Sequence, residues 1–315
     1  EELATNLIGV KIASEKINKL KAKQMPISTE EVKSFKENLP FKLTNAQERT
    51  IKEISDDISL TKPMRRLVQG DVGSGKTVVA AVSMYISAKN NTQSVLLCPT
   101  EVLAEQHFKN FSAWFKNSNI KIELLTGKMP VSKRRGIYQD LEHGVIDILI
   151  GTHAVFQDKV KMKNLGLVVV DEQQRFGVKQ RFDLVKKSSN QIMPHQLFMT
   201  ATPIPRTLAM TIFADLETSK IDELPPGRKP VETLVYSDKK KDEIVKRLET
   251  VCKSGNQVFW LCTMIEESEN LDVQAADEAK EWIKENTNGL NIGLVHSKLS
   301  KDQRDKAIEN FRSGK

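Results

Sequence analysis

Cysteine is scarce in this sequence of 315 residues, and its scarcity excludes two kinds of architecture. The three cysteines are Cys98, Cys252 and Cys262, and no two of them form a CxxC pair. So few and so scattered thiols can build neither a disulfide framework nor a structural zinc site. We therefore expect the protein to work in a reducing, cytosolic compartment.

Long apolar runs are also missing. No stretch of about 18 apolar residues occurs, so no membrane span is expected. No basic start followed by an apolar stretch resembles a signal peptide, and no histidine pair has the HExxH spacing of a zinc hydrolase. The formal net charge of +7 permits nucleic-acid binding without showing it, because excess lysine is often solvated surface.

Short apolar runs alternate with helical stretches along most of the chain. Strands are predicted at 66–69, 94–98, 120–125, 146–150, 165–170 and 197–199. Strands of this kind, nearly continuous in apolar residues and separated by helices, are covered on both faces. The pattern therefore predicts an α/β fold built on a parallel sheet.

Domain boundaries follow from composition and length. The stretch 224–230 contains three prolines and a glycine, which interrupts any helix or central strand. We predict a helical N-terminal arm over 1–39, a complete lobe over 40–224, a linker over 225–230 and the first part of a second lobe over 231–315. Strands of that second lobe are expected at 231–236, 258–262 and 292–295, and helices at 239–252, 273–286 and 299–311.

A glycine-rich loop after the first predicted strand matches the phosphate-binding pattern GxxxxGK[ST] in full. Its residues are Gly70, Asp71, Val72, Gly73, Ser74, Gly75, Lys76 and Thr77. The glycines let backbone N–H groups approach phosphate oxygens, and the following helix adds positive charge at its N-terminus. Lys76 is expected to neutralise the β- and γ-phosphates of a nucleotide, and Thr77 to ligate Mg²⁺. The alternative is an ordinary glycine turn before a helix.

An acid pair, Asp171 and Glu172, follows the most apolar predicted strand. Ligands of open parallel sheets bind at the carboxyl ends of the strands, which is where this pair lies. Asp171 is predicted to hold Mg²⁺ through water, and Glu172 to orient or deprotonate the attacking water. Alone, the pair would equally suit a solvated strand end.

Three further motifs carry a resemblance to a known family. They are DEQQRFG at 171–177, MTATPIPRTL at 199–208 and IDELPPGR at 221–228. With the glycine-rich loop, they resemble superfamily 2 helicase motors and, within them, the RecG family of bacterial branch-migrating DNA helicases. Gln174 stands where that family carries His. The resemblance implies two RecA-like lobes, of which this chain would contain the first whole and the second in part.

Further site residues are implied by the resemblance. Gln47 lies in a stretch similar to the adenine-side motif, although it also suits a surface amide after the Thr44 helix cap. Thr200 and Thr202 resemble the pair that couples hydrolysis to lobe movement. Contacts to the DNA backbone are implied for three residues, for which βα turns and core packing are the alternatives: Thr100, Thr152 and Arg206.

The activity implied by the resemblance is ATP- and Mg²⁺-dependent movement on branched double-stranded DNA, by a cytoplasmic, non-membrane, monomeric protein. A duplex translocase of the transcription-repair coupling type, a translocating restriction subunit and a nucleotide-regulated DNA-binding module are the alternatives. Residue 1 is not Met, and no arginine-rich motif follows His296. The chain is therefore expected to be a fragment that binds Mg-ATP but hydrolyses it poorly.

Overall fold

The computed structural model describes residues 20–127, 129–157, 159–172, 192–202, 216–225, 231–262, 269–296 and 299–314. The chain divides into two compact units, residues 1–229 and 230–315, and each is described by itself.

The first unit is built on a seven-stranded sheet. Its strands are β1 Arg65–Gly70, β2 Gln93–Leu97, β3 Ile122–Leu125, β4 Ile148–Gly151, β5 Leu165–Val170, β6 His195–Thr200 and β7 Glu217–Ile221. They lie in the order β3-β4-β2-β5-β6-β1-β7, and every pair is parallel. The predicted α/β fold with a parallel sheet is confirmed. Strand β7, at the edge, was not predicted.

Among the described residues, helices lie before β1 and after β1, β2 and β3. In the first unit they are α1 Thr29–Glu37, α2 Asn45–Ile58, α3 Lys76–Lys89, α4 Glu101–Trp114 and α5 Val131–His143. Successive strand residues point to opposite faces, so Val169 joins one apolar core while Val168 and Val170 join another. Helix α3 is buried along nearly its whole length.

The described part of the N-terminal arm packs on the first unit. Met25, Phe35 and Leu39 belong to the same core as α3. The Phe35 ring stacks on Tyr85 with 4.5 Å between ring centroids. The helix predicted over the first 23 residues falls mostly outside the described residues, and the boundary at residue 39 stays a prediction.

The second unit contains the three predicted helices, which are α6 Lys241–Lys253, α7 Glu269–Glu285 and α8 Lys301–Arg312. The strands predicted at 231–236, 258–262 and 292–295 are wrong for the described residues, which form no paired strand there. Val235, Phe259 and Leu261 are 84% or more exposed. An apolar run becomes a strand only when a neighbouring strand accepts its backbone hydrogen bonds. The assignment of this unit to a second lobe stays a prediction.

In the described parts of the chain, no helix combines the length and apolarity that crossing a membrane would need.

A buried histidine joins three separate segments of the first unit. His195 begins β6 and has no exposed surface. The Met64 backbone N–H donates to His195 Nδ1 at 3.0 Å, and Nε2 lies 2.9 Å from the Lys23 carbonyl oxygen. Nδ1 must accept in this arrangement, so the neutral ring carries its proton on Nε2. Burial lowers the pKa of His195, since charging the ring would desolvate a cation.

This histidine predicts a loss of stability in mild acid. The unfolded chain takes up a proton at His195 below about pH 6.5, while the folded chain does not until a lower pH. The unfolding free energy should therefore fall with pH in that window, by at most about 1.4 kcal/mol per pH unit for one proton. Urea unfolding at pH 7.5 and at pH 5.5 measures this change in the unfolding free energy.

The control is His195→Gln, which titrates no proton. It should lower stability at pH 7.5 but show a weaker decline between the two pH values. An equal decline in variant and wild type would assign the effect to other groups.

Candidate nucleotide-binding site

The predicted site residues meet at one edge of the sheet. The glycine-rich loop 70–77 follows β1, Thr200 ends β6, Asp171 follows β5 and Thr100 lies beyond the end of β2. These four strands are consecutive in the sheet. Because parallel strands present their carboxyl ends at the same edge, segments scattered over 130 residues of chain converge there.

The loop has the backbone of an anion cradle. Gly73 and Gly75 have φ of 75° and 88°, in the left-handed region that suits glycine. Helix α3 begins immediately afterwards, and no side chain caps its N-terminus. A helix N-terminus presents backbone N–H groups and partial positive charge, which fits the oxygens of a nucleotide phosphate.

The Lys76 ammonium lies within this cradle. Its Nζ donates to the carbonyl oxygens of Gly70 at 2.6 Å and Asp71 at 2.9 Å. Both acceptors belong to the loop, so the amine is held against the place where phosphates would lie. The phosphate contacts of the loop and the Mg²⁺ ligation by Thr77 stay predictions.

Gln47 has a structural role that sequence reasoning did not find. Its amide nitrogen donates to the Ser74 carbonyl oxygen at 2.8 Å, and its Oε1 accepts from the Thr44 backbone N–H at 2.9 Å. A Cβ at Gly75 would lie 2.1 Å from the same amide nitrogen. The side chain is buried rather than on the surface, and it joins the cap of α2 to the loop. The predicted adenine contact stays a prediction.

A cavity of about 320 Å³ opens beside Gln47. Phe41, Lys42 and Pro225 line the rest of it. It brings the stretch that resembles an adenine-side motif next to the predicted linker.

The stretch 221–225 is tied to α2. Glu223 Oε2 accepts from the Ala46 backbone N–H at 3.1 Å, which satisfies a donor in the first turn of α2. Arg49 donates to Asp222 at 2.9 Å, and this hydrogen bond lowers the pKa of the Asp222 carboxyl. Neither contact was predicted, since both join residues more than 170 positions apart.

The acid pair is held by backbone and side-chain contacts. The Asp171 N–H donates to the Leu97 carbonyl oxygen at 2.9 Å, which continues the pairing of β5 with β2. The carboxylate Oδ2 lies 2.9 Å from His107 Nε2. Glu172 has φ of 51°, which is uncommon for a residue with a side chain and costs on the order of 1 kcal/mol. Such strain is concentrated at functional sites.

Cys98 lies close to this carboxylate. Burial, and secondarily the charge of Asp171, raises the pKa of the Cys98 thiol. The group therefore stays a neutral thiol at physiological pH, which argues against a redox or nucleophilic role.

The predicted coupling residues contact each other and strand β1, which leads into the glycine-rich loop. Thr200 Oγ1 and Thr202 Oγ1 are 3.0 Å apart, and the Thr202 N–H donates to Thr200 Oγ1 at 3.2 Å. Gln69, at the end of β1, donates to the Thr202 carbonyl oxygen at 3.4 Å. Strand β6, which ends at Thr200, lies between β1 and β5, so the two threonines lie between the glycine-rich loop and the acid pair. Its coupling role stays a prediction.

Two of the three predicted DNA contacts lie at the same edge. Thr100 is exposed and caps α4, with its Oγ1 accepting from the Leu103 N–H at 3.3 Å. Thr152 follows β4, the neighbour of β2, and is buried. Arg206 lies outside the described residues, as do Gln173 and Gln174 of the acid-pair motif. DNA contact by these residues stays a prediction.

Among the described residues, no group of three or more His, Cys, Asp or Glu side chains can hold a metal ion. Mg²⁺ in phosphate-transfer sites needs only one or two protein ligands beside phosphate oxygens, and Mg²⁺ ligation by Thr77 and Asp171 stays a prediction.

A family model for DEAD/DEAH box helicases matches residues 44–211. The ATP-dependent DNA helicase RecG of Aquifex aeolicus is 44% identical over 99% of this chain and 39% of its own length. RecG of Escherichia coli K12 is 48% identical over 88% of the chain and 40% of its own length. The chain thus spans about two fifths of these relatives.

Solved structures agree with this result. A structure of RecG bound to a three-way DNA junction is 35% identical, with a TM-score of 0.78, over all of this chain and 41% of its own. Yeast Dbp5 L327V bound to RNA and ADP BeF3 is 17% identical, with a TM-score of 0.54, over 86% of this chain and 72% of its own, and shares the fold alone. The predicted RecA-like lobe and the resemblance to RecG proteins are confirmed.

Proposed function

Because this chain belongs to the DEAD/DEAH box helicase family, we propose that it is the nucleotide-binding part of an ATP-driven helicase that acts on branched double-stranded DNA. The observation that supports this most directly is the convergence of the loop 70–77 with Asp171 and Glu172 at one sheet edge. Similarity to RecG over nearly the whole chain supports the DNA substrate, since a relative was solved on a three-way junction.

The residues divide the work of ATP hydrolysis among them. The loop amides bind the phosphates, and Lys76 balances the charge of the β- and γ-phosphoryl groups. Thr77 and Asp171 would hold Mg²⁺, which would supply positive charge beside the phosphoryl group that is transferred to water. Glu172 orients the attacking water and accepts its proton. Gln47 holds the loop and faces the cavity, which has room for the adenine ring.

The other predicted residues couple hydrolysis to movement or contact the DNA. Thr200 and Thr202 lie between the loop and the acid pair, from where a change at the γ-phosphate can be passed on. Thr100, Thr152 and Arg206 contact the DNA backbone, which suits hydroxyl and guanidinium donors. The proposal extends to the first lobe at 40–224, the arm at 1–39, the linker at 225–230 and the second lobe from residue 231. The proposal also holds that the protein is monomeric, cytoplasmic and bacterial.

The test is ATP hydrolysis by the complete protein with forked, linear duplex and single-stranded DNA of equal nucleotide content. Forked DNA should stimulate turnover most, by about tenfold or more over no DNA. Equal stimulation by linear duplex would favour a transcription-repair type of translocase instead. Nucleotide binding without stimulated turnover would favour a nucleotide-regulated binding module.

A further inference from the structure

We propose that His107 is a positioning residue that orients the Asp171 carboxylate toward Mg²⁺ and joins it to helix α4. This inference rests on the proposed nucleotide chemistry. No other histidine of the sequence lies at HExxH spacing from His107. Its ring contacts a predicted metal ligand, Asp171, and not the metal.

The contact between the two side chains is short and sheltered from water. His107 Nε2 is 2.9 Å from Asp171 Oδ2, and the side chains are 8% and 13% exposed. An ionised carboxylate only accepts hydrogen bonds, so the proton must be on Nε2. A buried hydrogen bond to a charged acceptor is stronger than one in water, and it restricts the rotation of the carboxylate.

The imidazole is itself fixed in place. His107 shares the sheet-facing side of α4 with Ala104 and Phe111, at helical spacings of three and four residues. The Phe111 ring packs against the imidazole edge to face, with 6.3 Å between centroids. In the described part of the chain, Nδ1 has no hydrogen-bond partner. Among the residues that the structure describes, packing and the hydrogen bond to Asp171 orient the ring.

The Asp171 carboxylate is consequently constrained from two sides. Its backbone N–H is bound to Leu97 of β2, and its Oδ2 to His107 of α4. Groups that orient a metal ligand from outside the coordination sphere change metal affinity or activity by about 10- to 100-fold when they are removed.

Helix α4 also begins at the proposed DNA contact. Thr100 caps its N-terminus, and His107 lies two turns further along. A displacement of α4 by DNA would therefore move the hydrogen-bond donor of the metal-side carboxylate.

The test measures Mg²⁺-dependent binding of a fluorescent ATP analogue to this chain. His107→Ala should raise the Mg²⁺ concentration for half-maximal binding by about tenfold, while Mg²⁺-free binding to the loop changes by less than about twofold. His107→Gln should restore most of the wild-type Mg²⁺ dependence, since its Nε2 can donate from a similar position. Phe108→Ala, a neighbouring core truncation that does not touch Asp171, should leave Mg²⁺ dependence unchanged.

A second measurement needs no nucleotide and no variant at His107. Nitrogen-proton correlation spectra of the wild-type ring should show the Nε2–H tautomer, and Asp171→Asn should shift that proton upfield because a neutral acceptor is weaker. An Nδ1–H tautomer overturns the proposal. So does a folded His107→Ala chain with wild-type Mg²⁺ dependence, or a His107→Gln chain no better than His107→Ala. A wild-type chain that binds no nucleotide at all overturns the proposed function and this inference together.

Discussion

Replacing Glu172 by Gln in the complete protein is expected to lower the turnover number for ATP by about 10²- to 10⁴-fold, the usual contribution of a general base. The amide has the size and shape of the carboxylate but cannot take a proton from water. Affinity for Mg-ATP should stay within about twofold, because the loop 70–77 and Asp171 are untouched. Steady-state hydrolysis and titration with a fluorescent analogue measure the two quantities separately.

The unusual backbone conformation at this position is expected to be the same in Glu172→Gln, so the substitution changes only the chemistry of the side chain. Glu172 occupies the left-handed region with φ of 51°, and Gln carries the same strain, so the backbone at this residue has no reason to relax. Glu142→Gln, on the exposed side of α5, is the matched control and should leave turnover unchanged. Turnover within about tenfold of wild type in Glu172→Gln would remove the general base from the mechanism and favour the nucleotide-regulated binding module.

The second large effect is expected at Gly75, where Ala should weaken both the fold and the nucleotide site. The residue has φ of 88°, and a Cβ there would lie 2.1 Å from the Gln47 amide nitrogen. The amide must leave the Ser74 carbonyl oxygen, which disturbs the loop and the cap of α2 together. We expect a loss of about 1–3 kcal/mol in unfolding free energy and at least about tenfold in ATP affinity. Urea unfolding and nucleotide titration measure these.

Gly144→Ala is the control that separates the effect of backbone strain from the effect of the steric clash with Gln47. Gly144 is also left-handed, with φ of 74°, but its nearest neighbour is the flexible Lys163 side chain and it lies at the end of α5. It should lose stability without losing ATP affinity. In a double-mutant cycle, Gln47→Ala should remove part of the Gly75→Ala penalty, because it removes the atom that clashes. Additive penalties would show that the clash is not the cause.

Strand prediction succeeded where burial on both faces leaves a continuous apolar run. Strand β5 was predicted with its observed bounds, since all of its residues are buried. Strand β7 was missed because only Ser219 and Ile221 are buried, which leaves no apolar run to detect. The strands predicted in the second unit were wrong for the opposite reason: apolar runs were present, but no neighbouring strand pairs with them.

In the candidate site, too, some side-chain roles could be predicted from the sequence and others could not. The loop and the acid pair were readable because their chemistry needs particular residue types at short, fixed spacing. Gln47 was predicted to read adenine or to lie on a helix surface; it is buried, with both ends of its amide bonded to backbone groups, and the adenine contact stays a prediction. His107 had no sequence signal beyond its place on the buried side of a helix.

By itself, the amino-acid sequence determined the α/β class, the phosphate-binding loop around Lys76 and the acids that follow β5, because each depends on neighbours within a few positions. The tertiary structure alone decided which strands adjoin and which distant groups meet. His107 and Asp171 are 64 positions apart, and Ala46 and Glu223 are 177 apart. Contacts of that range depend on strand order and helix packing, which local periodicity does not encode.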